Sequence, residues 1–159
     1  MKAILINEHG NENVLYEAEL ETPNISPNEV LIEMKAFSLN PSDVVNREEL
    51  HGAAVFPHML GRDFVGLVKE VGPSCQSIQI GDLVTGISFE GTYAEYIKMD
   101  EQAVIKIPQE ANIKEVAAFP VVAITAWAAL IDYGFIQSNH NQKVLIHAGA
   151  GGVGILPFK

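Results

Sequence analysis

The stretch EVLIEMKAFSLNPSD, residues 29–43, decides the fold class. In it Val30, Ile32, Met34 and Ala36 alternate with Leu31, Glu33, Lys35 and Phe37. Successive side chains therefore point to opposite faces, one apolar and one mostly polar, and a two-residue period of this kind predicts a strand. It stops at Asn40-Pro41-Ser42-Asp43. Asparagine at the N-cap, proline at the first helical position and an acid two residues later favour a short helix through Val44 to Arg47.

Upstream, KAILI at residues 2–6 reads as a strand, and Val14 to Leu20 as its hairpin partner across a polar turn. Downstream, HGAAVFPHMLGRD (51–63) reads as irregular, and DFVGLVKEVG (63–72) as a strand with Gly66 inside it. An interior glycine of this kind marks a bulge or a close backbone approach. GDLVTGI, GTYAEYIKM and AVIKIP follow as further short strands separated by turn residues. Such spacing predicts a closed or partly closed antiparallel barrel. Beyond Pro108 the two-residue period is lost. NIKEVAAFP and VVAITAWAALIDYG predict two helices, the second ending at Gly134. KVLIHAGAGGVG (143–154) then reads as an apolar strand of the sort a parallel sheet covers on both faces. The fold class expected is mainly β with some α: a barrel-like body over residues 1–120, and the first helix and strand of an α/β domain over 121–159.

The 159 residues carry 20 acidic and 10 basic side chains, a net charge of −10, which argues against a nucleic-acid or anionic-membrane partner. No apolar run approaches the ~20 residues that span a bilayer. The first residues lack the apolar core of a signal peptide, so the expected location is the cytoplasm. Cys75, the single cysteine, excludes an internal disulfide and a multi-cysteine zinc site. It lies in a polar loop with no base or helix start to lower its pKa, so a reactive thiol is not expected. The five histidines (9, 51, 58, 140, 147) show no metal-ligand spacing, and His147 reads as a core residue.

Gly149-Ala150-Gly151-Gly152-Val153-Gly154 satisfies G-x-G-x-x-G directly after the strand predicted over Val144–His147. In this pattern the first glycine permits a tight turn, the second lets a pyrophosphate approach the backbone, and the third lets the next helix pack closely. The helix N-terminus supplies N–H groups to the phosphates. Gly149, Gly151, Gly152, Val153 and Gly154 are accordingly candidate cofactor-binding residues. The ribose-binding residue of the pattern belongs about twenty positions further on, past Lys159, and Pro157 would fall early in a crossover helix.

Taken in order, several stretches resemble the medium-chain dehydrogenase/reductase superfamily, specifically its zinc-free, quinone-oxidoreductase-like members. They are Asn40-Pro41-Ser42-Asp43, Phe56 to Gly66, Val71-Gly72, Gly81-Asp82-Leu83-Val84, Gly91 to Tyr96, Ala117-Ala118-Phe119-Pro120, Thr125-Ala126-Trp127 and Ala148 to Gly154. The resemblance implies a GroES-like catalytic barrel followed by a Rossmann domain that binds NADPH, with the active site in the cleft between them. It implies hydride transfer to quinones, enones or related activated double bonds. It also implies that this chain holds most of the GroES-like part and only the opening of the Rossmann part, so that it should neither bind NADPH appreciably nor turn over alone. Zinc-dependent relatives place a cysteine where Ser42 stands and a His-Glu pair at Arg62-Asp63; no metal site is expected. Several quinone reductases carry a tyrosine where this chain has Val45.

By the resemblance, Asn40, Asp43 and Thr125 would contact the nicotinamide end of the cofactor. The plainer readings are a helix cap and first-turn acid for the first two, and a hydroxyl bonded to its own helix backbone for Thr125. Arg62 and Asp63 read as a loop ion pair, and Tyr93 and Tyr96 as packing residues on a strand. The function expected is an NADPH-dependent quinone or enone reductase. The alternative is a non-catalytic GroES-like binding or assembly module. The apolar edge of the strand at 144–147 would seek a partner, which predicts a homodimer.

Overall fold

The computed structural model describes residues 1–48, 55–137 and 141–156. The chain divides into two compact units, Met1–Ala118 and Phe119–Lys159.

In the first unit, β1 (Lys2–Ile6) pairs antiparallel with β2 (Leu15–Glu19), Lys2 opposite Glu19 and Ile6 opposite Leu15. This is the hairpin expected from the sequence, with Glu12–Val14 forming a 3₁₀ turn at its tip. The other edge of β1 takes β4 (His58–Met59), a strand inside the stretch read as irregular. Two residues are too few to display a period. Residues 51–54 of that stretch lie outside the described residues.

The second sheet has the order β7-β3-β5-β6-β8, every neighbour antiparallel. Its members are β3 (Glu29–Phe37), β5 (Asp63–Val71), β6 (Leu83–Ile87), β7 (Tyr96–Asp100) and β8 (Val104–Lys106). The register between β3 and β5 shifts immediately beside the Met34–Gly66 pair, the irregularity that an interior glycine announces. GTYAEYIKM becomes a strand only from Tyr96. Gly91 sits at φ +100°, and the chain after it leaves the expected strand path. The Thr92 N–H bonds to the Leu60 carbonyl, and the Tyr93 carbonyl accepts the Ile4 N–H. Together with the Ala3–Ala94 bridge, these bonds join the two sheets into a partly open barrel.

The alternation in β3 places Val30 and Ile32 in the main core with Phe64, Val68, Val84 and Ile97. Each such side chain, fully buried, contributes about 1.5–3 kcal/mol. On the opposite face, Val65 and Leu83 pack with Ala117 of α2 (Ile113–Ala117), so this short helix closes the sheet from behind.

The second unit contains α3 (Pro120–Trp127), a π turn over Ala128–Asp132 and α4 (Gly152–Ile155). The second predicted helix therefore ends in a wide turn, where the Tyr133 N–H reaches the Ala128 carbonyl, just before Gly134. The strand expected over 144–147 is not formed. A strand is held by hydrogen bonds to a neighbour, and among the described residues none pairs with this segment. Leu145 stands 82% exposed, and His147 is exposed rather than part of a core. No helix among the described residues is long and apolar enough to cross a membrane.

Candidate functional site

The end of β3 turns at Asn40 into α1 (Pro41–Glu48), and this turn gathers a buried polar network. Pro41 opens the helix with its φ already suited to it and with no N–H to satisfy. The cap runs opposite to the direction expected: the Asn40 N–H donates to Asp43 Oδ2 at 2.8 Å. That is the acid-to-cap half of a capping box. Freed from capping, the Asn40 side chain turns inward. Its amide nitrogen donates to Asp63 Oδ2 at 2.9 Å and to Ser38 Oγ at 3.0 Å, and the Ser38 hydroxyl donates to Asp63 as well. Asp63, at the first position of β5, is fully buried.

Tyr93 completes the group from 50 residues away, its hydroxyl donating to Asp43 Oδ2 at 3.1 Å. Its ring stacks on Phe37 at 4.8 Å. Burial and the adjacent Asp43 charge push the Tyr93 phenol well above its usual range, so it remains protonated. Gly61 makes this placement possible. It sits at φ +102°, and a Cβ there would lie 2.1 Å from Thr92 Oγ1 and 2.7 Å from the Tyr93 ring. Asn40 and Asp43 line a cavity of about 160 Å³ together with Leu15, Leu60 and Tyr93. Among the described residues, Asp43 Oδ1 is buried without a hydrogen-bond partner.

The sequence brought Asn40 and Asp43 forward; the structure adds Ser38, Asp63 and Tyr93. Asp63 meets Ser38 and Asn40, while the Arg62 guanidinium lies 5.0 Å over the Phe89 ring, so the two neighbours have different partners. Tyr93 is packed as expected, but on a loop and with its hydroxyl engaged. The signal available was the recurrence of Asp63 and Tyr93 in glycine-led motifs. Nothing local ties them to Asn40. The Cys75 thiol is pushed up by burial and by the Glu101 charge, in line with an unreactive group.

In the second unit, the Thr125 hydroxyl donates to the Val121 carbonyl at 2.7 Å, the self-bonded arrangement. Residues 147–150 form a turn that closes with the Gly151 N–H on the Ala148 carbonyl, and Gly152 and Val153 begin α4. Gly154 is buried, and a Cβ there would come within 2.4 Å of the Ala148 carbonyl and 2.8 Å of Gly149 Cα. The third glycine of the motif thus permits the close packing ascribed to it, against the turn itself rather than against a strand.

The profile of the alcohol dehydrogenase GroES-like domain matches residues 26–109, which include all of this network. The chain belongs to that family. It is a medium-chain dehydrogenase/reductase of the quinone-oxidoreductase-like kind. It is 33% identical over 168 residues to a mitochondrial NAD(P)H oxidoreductase of Dictyostelium discoideum, covering 97% of this chain and 47% of that protein. With the human quinone oxidoreductase it shares 30% identity over 158 residues, covering 98% and 47%. The quinone oxidoreductase of Escherichia coli, solved in complex with NADPH, superimposes with a TM-score of 0.87 at 27% identity, covering 98% of this chain and 47% of that one. The chain spans about half the length of the curated relatives it matches.

Proposed function

We propose that this GroES-like chain carries part of an NADPH-dependent oxidoreductase that reduces quinones or enones by hydride transfer without zinc. The observation that carries this reading is the buried Asn40–Asp43–Asp63–Tyr93 network, with an unpaired Asp43 oxygen. It lies in a family whose relatives include quinone oxidoreductases and an NADPH-bound structure.

The residues fit the cofactor in part. Asn40 and Asp43 border a cavity of about 160 Å³, room for one planar ring. The turn at 147–150 and the tightly packed Gly154 suit a pyrophosphate. The ribose-binding position has no counterpart among the described residues. When bound, NADPH would supply the hydride from its nicotinamide ring. In this proposal Asn40 and Asp43 orient that ring, Thr125 contacts it, and Gly149, Gly151, Gly152, Val153 and Gly154 seat the pyrophosphate. Tyr93 keeps its proton, donates a hydrogen bond to Asp43 and holds that carboxylate in place. Solvent protonates the reduced product, so no side chain is needed as a general acid. Apolar residues exposed on the second unit, Trp127 and Leu145 among them, support a homodimer; a stable monomer in sedimentation at high concentration would count against it.

The test is a chimera in which residues 1–156 replace the aligned portion of the Escherichia coli quinone oxidoreductase. NADPH oxidation with a quinone should proceed, and Asn40→Ala should slow it at least about tenfold, the value of one lost orienting hydrogen bond. A folded, NADPH-binding chimera inert toward quinones and enones overturns the proposal. The chain alone should show no appreciable NADPH binding by calorimetry.

A further inference from the structure

Acidic side chains outnumber basic ones by 20 to 10, so a cation on this protein has many carboxylates within reach. Lys2, Lys35, Arg47, Lys69, Lys98 and Lys106 each meet one within 3.4 Å. Arg62 meets none among the described residues; even Asp63, its neighbour in the chain, turns instead to Ser38 and Asn40. Arg62 stands just before β5, where its carbonyl accepts the Ser88 N–H at 2.8 Å. Its guanidinium carbon lies 5.0 Å from the centre of the Phe89 ring. Arg62 is half-buried, while Phe89, two residues past β6, is 80% exposed. A guanidinium that gives up part of its hydration without gaining an anion is incompletely compensated. The surrounding field has the same sign. Burial, and after it the charges of Arg62 and His9, push the His58 imidazole below its ordinary range, and among the described residues no carboxylate opposes them. The His9 ring stands edge-on to Phe56 at 5.1 Å.

A guanidinium presents five N–H donors in a planar fork and no acceptor, a shape that matches the two oxygens of a carboxylate. The neutral His58 imidazole beside it adds no negative charge to compete. The open ring of Phe89 gives a flat conjugated ligand an apolar surface to stack on. We propose that Arg62 and Phe89 form a subsite for a conjugated carboxylate, its oxygens on the guanidinium fork and its flat hydrocarbon against the ring. Neither residue borders the cavity beside Asn40 and Asp43. The use of this subsite rests on the reading of the chain as part of a quinone or enone reductase, and it narrows that reading. Arg62 is then a specificity-determining residue, favouring acceptors that carry an acid group over their neutral counterparts.

The test uses the chain itself and residue-resolved ¹H–¹⁵N NMR titrations with cinnamate and its neutral isostere cinnamamide. Shifts centred on the Arg62 side-chain Nε–H, Ser88 and Phe89 are expected with cinnamate, about tenfold tighter than with cinnamamide, the worth of one charge-assisted pair. In Arg62→Gln that ratio should fall toward one. Phe89→Ala, a change at an exposed position, should weaken both probes by a similar factor and leave the ratio standing. Should Arg62→Gln not fold, Arg62→Lys keeps the charge but not the fork, and should lower the ratio less. Equal binding of the two probes, no binding, or a folded Arg62→Gln that keeps the preference overturns the inference. In the chimera, the kcat/KM for 3-benzoylacrylate relative to its methyl ester should fall about tenfold in Arg62→Gln; an unchanged ratio also overturns it. A chimera that reduces quinones while the cinnamate ratio is one sinks only this inference. An inert, NADPH-binding chimera with the cinnamate ratio intact sinks only the proposed function.

Discussion

Residues 1–118 and 119–159 obey the same local rules to different effect. In the first unit almost every alternation in the sequence ends in burial: Val30, Ile32, Phe64, Val65, Val68 and Val84 are all inaccessible. In the second, α3 is apolar at every position but Thr125, a pattern that belongs to a buried helix, yet Ile124 and Trp127 are 58% and 62% exposed. Of the apolar side chains described there, only Ala126 is buried. The difference lies in partners rather than propensities. Helix bonds close within a segment, so α3 and α4 form regardless. Strand bonds need a neighbour, so KVLIH stays unpaired.

The largest test of this contrast is a pair of truncations. Phe64→Ala should cost about 3–5 kcal/mol in urea unfolding, whereas Trp127→Ala should change stability by no more than about 0.5 kcal/mol. Similar losses at the two sites would mean that the second unit has a core of its own. Next in size is Gly61→Ala, which forces a Cβ into Thr92 and Tyr93 at a left-handed φ. We expect about 3 kcal/mol, together with loss of the Phe37–Tyr93 stack by NMR. Tyr93→Phe keeps the stack but removes the donor to Asp43, leaving buried carboxylate oxygens less satisfied; about 1–2 kcal/mol is expected. If it proves neutral, the Tyr93–Asp43 bond does not hold the network.

The smallest effect is in the pH profile. Asp82 is held below the usual carboxylate range, first by its hydrogen bond to Lys106, with Nζ 2.6 Å from Oδ1. Glu101 is lowered by the backbone N–H groups of Ser77 and Gln76. A carboxylate whose folded-state pKa is depressed stabilises the fold above its ordinary value near 4 and loses that contribution as pH falls through the lower, folded value. Thermal unfolding should therefore drop on acidification below about pH 4, and Asp82→Asn should flatten that drop. The affected groups all lie in the first unit, so hydrogen exchange at 63–71 should accelerate in acid relative to its intrinsic rate. Exchange at 144–146, unprotected already, should not.

Much of the barrel could be read from the chain because a strand half-buried in an antiparallel sheet writes its two faces into a two-residue period, as β3 does. The Pro41 helix start was equally local. β4 was not legible, being two residues long, nor was the detour at 91–95 that ties the sheets together. The candidate site was half legible. Asn40 and Asp43 stand together at a helix start, but Asp63 and Tyr93 join them across 23 and 50 residues, and no periodicity reports a contact of that range.

The sequence by itself determined the hairpin, the long strands, the turn into α1 and the glycine motif, since each follows from interactions among neighbours in the chain. Only the tertiary structure decided which way Asn40 points, which carboxylate oxygen stays unpaired and whether Val144–His147 becomes a strand. Those outcomes depend on groups that folding brings together from distant positions, and a hydrogen bond forms only where its partner is present.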